Sequence, residues 1–164
     1  MSRLFSTPEE AEIAFYEAIE SADIKALDDV WSRDENIVCV HPGASRIEGR
    51  EAVMNSFVEL FTDAPILRFS LVDALYTGNE SLAVHLVREE IELDGQVISI
   101  MVSTNIYHMD EGGWRMLLHH ASPEPDTAFQ DQFDEYHGFD VGDFDDFDDD
   151  LDEQEPPARP PVLH

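Results

Sequence analysis

LAVHLVREEIELDGQVISIMVSTNIYHM, residues 82–109, decides the fold. Two runs rich in apolar and β-branched residues, 82–93 and 96–109, are separated only by Asp94-Gly95. A two-residue Asp-Gly link between such runs is the strongest short hairpin signal, because the tight turn needs positive φ at both positions. Downstream, Glu111-Gly112-Gly113 makes the next turn and 114–121 reads as a last strand. Upstream, Leu67, Phe69 and Leu71 alternate with Arg68 and Ser70, and Gly78-Asn79 closes that run. Residues 66–121 therefore read as one antiparallel meander.

Before the meander the period is helical. Thr7-Pro8-Glu9-Glu10 is a helix start, with Thr7 as cap, Pro8 at the first position and Glu10 completing a capping box. Ala11, Phe15, Ala18 and Ala22 then recur on one face. Asp23 caps a second short helix that buries Ile24, Leu27, Val30 and Trp31. The run Ile37-Val38-Cys39-Val40-His41, ended by Pro42-Gly43, is a short strand entering a turn. Gly49-Arg50-Glu51 opens a third helix carrying Val53, Met54, Phe57, Leu60 and Phe61. Segregated helices and strands give an α+β domain with the helices on one face of a curved sheet.

The domain is expected to span 1–123, followed by an acidic tail at 124–164. The tail interleaves carboxylates with Phe129, Phe133, Tyr136, Phe139, Phe144 and Phe147. A short amphipathic helix is expected at 126–137 and disorder beyond it, since like charges repel and little apolar surface offsets the chain entropy. Such a tail could keep the protein soluble, dock into a protein partner, or fold over the domain's own pocket.

The formal net charge is −28, from 37 acidic and nine basic residues. The segment from Glu124 holds 15 acidic residues and one basic one, Arg159, so half of the charge belongs to the domain itself. Nucleic-acid affinity comes largely from Lys and Arg displacing counterions, so neither nucleic acid nor an anionic membrane is an expected partner. Cys39 is the single cysteine, which excludes an intramolecular disulfide and reads as a buried thiol. With no signal-like start and no apolar run of ~18 residues, a soluble cytoplasmic protein is expected.

The element order, with Trp31, Val40-His41-Pro42-Gly43, Ile47-Glu48-Gly49-Arg50-Glu51-Ala52-Val53 and Gly113-Trp114 through His119-His120-Ala121-Ser122, resembles the SnoaL-like branch of the nuclear transport factor 2-like superfamily. The resemblance covers roughly 8–123. It implies a cone-shaped domain whose bent sheet wraps the helices around a pocket, and a homodimer formed through the sheet. Ketosteroid isomerases, cyclases and dehydratases share this superfamily with non-catalytic association domains, so function has to be argued from the site.

By that resemblance His41 stands where ketosteroid isomerases carry a general-base aspartate, and Asn105 near their oxyanion-polarising acid. An imidazole can serve as base near neutral pH, and an amide N–H can donate, although more weakly than a neutral acid. The register puts Phe15 where the isomerases carry a tyrosine. Tyr16 is then turned away by ~100°, and the catalytic tyrosine is missing.

On the last strand, strict alternation groups Trp114, Met116, Leu118 and His120, the more apolar set. His120 is therefore expected in the pocket, and His119 at the sheet surface or a dimer contact. The candidate catalytic set is His41, Asn105 and His120. Candidate ligand contacts are Tyr16, Trp31, Phe57, Phe61 and Tyr107, although helix positions such as the first four are more often core than ligand contact. No metal is expected, although His41, His119 and His120 could be drawn together. No phosphate loop or nucleotide fingerprint is present, so no cofactor is expected.

Two functions fit this reading. One is a dimeric small-ligand-binding or association domain. The other is an enzyme moving a proton on a small carbonyl compound, with His41 as base and Asn105 and His120 polarising the oxygen.

Overall fold

A computed structural model of the protein describes residues 3–63, 65–110 and 112–125. The chain divides into units at 1–124 and 125–164. The tail beyond 125, with the helix expected at 126–137, lies outside the described residues.

Helix α1, Pro8–Glu20, starts as the sequence dictates: Thr7 Oγ1 accepts from the Glu10 amide at 3.2 Å. Glu10 in turn accepts from the Ser6 amide at 2.7 Å, so two otherwise orphaned donors are satisfied. Asp23 caps α2, Ile24–Val30, by accepting from the amides of Lys25 and Ala26. Strands β1, Val38–Val40, and β2, Ile47–Glu48, follow, and then α3, Arg50–Thr62. Arg50 pins α3 to the end of α2 by donating to the carbonyls of Trp31 and Ser32 and pairing with Asp28.

The meander is β3, Arg68–Gly78; β4, Leu82–Leu93; β5, Gln96–Asp110; and β6, Gly113–Pro123. Asp94 and Gly95 have φ of 50° and 78°, the paired positive values the hairpin requires. The six strands form one open sheet in the order β2-β1-β6-β5-β4-β3. All neighbours are antiparallel except β1, which joins β6 in parallel. Register shifts interrupt all three long ladders, between Val72 and Leu75, Ile91 and Glu92, and Ile106 and Tyr107. Each extra residue bends its strand and adds twist, and together these curve the sheet around the helices.

The core lies between the helices and the inner face of the sheet. Phe15, fully buried, meets Tyr16, Trp31 and Phe57 edge-on at centroid distances of 5.1, 6.2 and 6.1 Å. Burying each such ring contributes about 1.5–3 kcal/mol. The opposite face of the sheet leaves Leu75, Leu86 and Val102 exposed. Among the described residues, no helix is long and apolar enough to cross a membrane.

Candidate functional site

A cavity of about 470 Å³ opens between α1, α3 and the inner face of the sheet. Its walls are apolar, with Ile19, Phe57, Phe61, Leu67, Phe69 and Ile91 prominent. Its polar groups are Tyr16, His41, Glu89 and His119 within, and Glu59 and Asp63 from the exposed end of α3.

The sheet's register assembles the polar end. Tyr76, His85, Asn105, His119 and Cys39 pair in one row across five strands. Asn105 is the hub. Its Nδ2 lies 3.1 Å from Glu12 Oε2 and 3.1 Å from Tyr16 Oη. Glu12, a buried carboxylate, also receives His85 Nδ1 at 3.0 Å and the hydroxyls of Tyr107 and Tyr76 at 3.3 and 3.4 Å. With three donors on Oε2, the Asn105 amide must present its nitrogen there, which turns Oδ1 toward His119.

Proton positions follow from this inventory. His119 Nδ1 sits 2.7 Å from Asn105 Oδ1 and must donate, so Nε2 carries no proton in the neutral ring. Burial above all, then the charges of His41 and His120, push the His119 pKa down to about 3, which keeps the ring neutral. Tyr16 spends its proton on Glu89 Oε1 at 2.6 Å. Burial first, then the Glu89 charge, raises the Tyr16 pKa well above the ordinary phenol value. Burial likewise raises the Glu89 pKa, against the stabilising bond from Tyr16. On the other wall, Ser56 Oγ donates to the Val53 carbonyl and accepts from His41 Nε2 at 2.9 Å. His41 therefore keeps Nδ1 unprotonated, and burial lowers its pKa.

The cavity thus gathers His41, Tyr16, Phe57 and Phe61 from the expected set. Asn105 stands behind the wall and acts through Tyr16 and His119. Three expectations need correction. His120 is exposed on the outer face, while His119 is 5% exposed and lines the cavity. The cause is the extra residue Leu117: Tyr107 pairs with Met116 but Ile106 with Leu118, so alternation reverses before the two histidines. Trp31 does not border the cavity; it is fully buried against Phe15 and Phe57. Tyr107 is equally buried, one layer behind, with its hydroxyl on Glu12.

The expected turning of Tyr16 away from the cavity also fails. Tyr16 brings its hydroxyl to the polar end of the cavity, and Phe15 packs in the core beside it. Glu12, His85 and Glu89 were missed by sequence reasoning, although a signal existed. Alternation puts Glu89 on one face with Ala83, His85, Val87 and Ile91, and Glu12 lies one helical turn before Tyr16. In sequence, Arg88-Glu89-Glu90 looks like a solvated charge run on a sheet face. Arg88 is tied on the outer face to Glu90 and Glu124. Cys39 is a buried thiol with its pKa raised to about 12 by burial. Among the described residues, no three His, Cys, Asp or Glu side chains are grouped to hold a metal ion.

The fold has relatives. A solved structure from Thiobacillus denitrificans, provisionally assigned as a calcium/calmodulin-dependent protein kinase type II association domain, is 34% identical. The match covers 75% of this chain and 99% of that one, with a TM-score of 0.71. A provisionally assigned dehydratase of the nuclear transport factor 2-like family from Streptomyces avermitilis is 28% identical over 71% of this chain and 92% of its own, with a TM-score of 0.65. A provisionally assigned ketosteroid isomerase from Parabacteroides distasonis is 17% identical over 77% and 99%, TM-score 0.62, and shares the fold. No curated protein matches the chain. The SnoaL-like domain family matches residues 9–126, and the chain belongs to that family within the nuclear transport factor 2-like superfamily.

Proposed function

We propose that the domain binds a small, mostly apolar molecule in the cavity and works as a homodimer joined through the outer face of the sheet. One observation carries the reading: a cavity of about 470 Å³ whose apolar walls converge on a few oriented polar groups. Small-molecule sites have this size and make-up, at ~300–1,000 Å³. The dimer is supported by exposed Leu75 and Leu86, paired with each other across β3 and β4, and by Val102 nearby on β5. The relative assigned as an association domain is consistent with it.

A second reading is proton transfer on a small carbonyl compound, with His41 as general base. It is supported by the unprotonated Nδ1 of His41 and by the relative assigned as a dehydratase. Binding is the better supported function, because Tyr16 would have to release Glu89 before it could polarise a carbonyl.

A protein-observed NMR screen of aryl and alkyl fragments tests the reading, run on the full chain and on Leu60→Trp. Leu60 lines the cavity yet is 48% exposed, so a larger side chain closes the entrance without overpacking the core. Saturable binding that shifts Phe57, Phe69 and Ile91 and weakens in Leu60→Trp is expected. Absence of any such ligand would remove the reading. For any compound that turns over, His41→Ala separates the two functions. A base loses about 100- to 10,000-fold in rate with binding intact, whereas a binding residue changes affinity alone.

A further inference from the structure

The hydrogen-bond inventory of the cavity is one-sided. Tyr16 donates to Glu89, His119 Nδ1–H to Asn105, and His41 Nε2–H to Ser56. Every proton on these cavity-lining side chains is committed to the protein itself, and the buried Ser103 hydroxyl beside Glu89 is not part of the lining. What remains are acceptors: the Glu89 carboxylate and the unprotonated nitrogens of His119 and His41. A ligand carboxylate, phosphate or carbonyl would meet no donor there, and an unpaired polar group in a buried site is costly.

The charge is one-sided too. Glu89, Glu59 and Asp63 line the cavity, and no Lys or Arg does. Glu89 is only 3% exposed, bonded to Tyr16 and without a cationic partner among the described ion pairs. Glu12, a second buried carboxylate, lies behind Tyr16 and Asn105 on the same network. Positions 1–123 alone hold 22 acidic and eight basic residues, so the domain's own field favours small cations over anions.

We infer that the cavity selects molecules with a protonated amine on an apolar body, the ammonium group docking on Glu89 and the body filling the space between Phe57, Phe69 and Ile91. The inference deepens the ligand-binding function and rests on it. An ammonium group brings N–H donors only, which is what acceptor-only walls require, and it supplies the countercharge that buried Glu89 lacks. An alcohol could satisfy one acceptor but leaves the carboxylate uncompensated. Burial holds both His119 and His41 toward their neutral forms, so neither offers an anion a positive charge in exchange.

Calorimetric titration of the full chain with 2-phenylethylamine, 2-phenylethanol and phenylacetate at neutral pH and physiological salt tests this. The three share an aryl body and differ in the head. The amine is expected to bind at least about tenfold tighter than the alcohol, a difference typical of one added charge-assisted hydrogen bond, with phenylacetate weakest. In Glu89→Gln, which still accepts from Tyr16, the amine is expected to lose that advantage while the alcohol keeps its affinity. If Glu89→Gln fails to fold, the wild-type order of the three still decides.

Alcohol or phenylacetate binding as tightly as the amine overturns the inference but leaves the cavity as a ligand site. Amine binding that survives Leu60→Trp is diffuse attraction to an acidic surface, and it also overturns the inference. If none of the three gives a binding isotherm, the inference falls, and the ligand-binding function falls with it only if the aryl and alkyl fragment screen also finds no ligand.

Discussion

His119 Nδ1 lies 2.7 Å from Asn105 Oδ1, at the point where the sheet register sets the two residues side by side on β6 and β5. Because Asn105 Nδ2 is held by Glu12 and Tyr16, this contact fixes which nitrogen of His119 carries the proton. Long-range 15N–1H NMR is expected to show a neutral Nδ1–H ring. Asn105→Leu removes the hub and strands three buried polar partners, at a cost of about 2–4 kcal/mol in urea unfolding. An Nε2–H tautomer, or an Asn105→Leu variant as stable as wild type, would contradict this arrangement.

Acid should act through the same residue. His119 has a folded pKa of about 3 against an ordinary value of 6.5. Between those values the unfolded chain binds the extra proton, so stability is full above about 6.5 and falls as pH drops toward 3. The slope is at most about 1.4 kcal/mol per pH unit. Denaturant unfolding of wild type and His119→Gln from pH 7 to 5 checks this, and the variant is expected to give the flatter curve. Parallel curves would mean that His119 is not the buried neutral group described.

Much of the fold could be read in the chain because local signals agreed with tertiary needs. Thr7, Asp23 and Asp94-Gly95 each do in the structure what their chemistry requires locally. The site was harder. One inserted residue, Leu117, reversed the facing of His119 and His120, and a bulge leaves no mark in a period-two pattern when its neighbours, Met116 and Leu118, are apolar like it. Glu89 was hidden for a different reason. Its burial depends on Tyr16, 73 residues away, and no local pattern reports that bond. Trp31 and Tyr107 were correctly inward in kind but one layer too deep to meet a ligand, a distinction only packing decides.

That distinction can be measured. Trp31→Phe should lower stability by about 1–3 kcal/mol, since it trims a fully buried ring, and should leave cavity binding unchanged. Phe61→Ala, at a half-buried position on the cavity wall, should do the reverse, weakening binding several-fold for a smaller loss of stability. Paired thermal melts and NMR titrations read both effects. A Trp31→Phe protein that is stable but fails to bind would put Trp31 back among the ligand contacts.

Glu89 is expected to cost the empty protein stability. Its folded pKa is raised by burial, so the folded state holds the proton more tightly than the unfolded chain. The contribution is greatest below the ordinary carboxylate value and is lost as pH rises through the folded one. Glu89→Gln removes the charge and keeps the Tyr16 bond, and at neutral pH it should melt higher than wild type, by roughly 1 kcal/mol in stability. This opposes the His119 trend, so the two variants should bend the pH profile in opposite directions. A lower melting temperature for Glu89→Gln would mean that the carboxylate is already compensated.

The outer face gives the last prediction. Leu86 pairs with Leu75 on β3 and Thr104 on β5, and Thr104 pairs with His120 on β6, so one row crosses four strands on the face away from the cavity. Leu86 is 39% and Leu75 60% exposed, so a charge at Leu86 meets water in a monomer but apolar surface in the proposed dimer. Leu86→Glu should leave the fold and the cavity intact and shift sedimentation from dimer to monomer at micromolar concentration, because an unpaired charge in a dry interface is strongly unfavourable. The neighbouring positive charge of Arg88 points along the same face and is already held by Glu90 and Glu124, so it does not offset the added carboxylate. A wild-type chain that sediments as a monomer would remove this interface, and a Leu86→Glu dimer would move it to another surface of the domain.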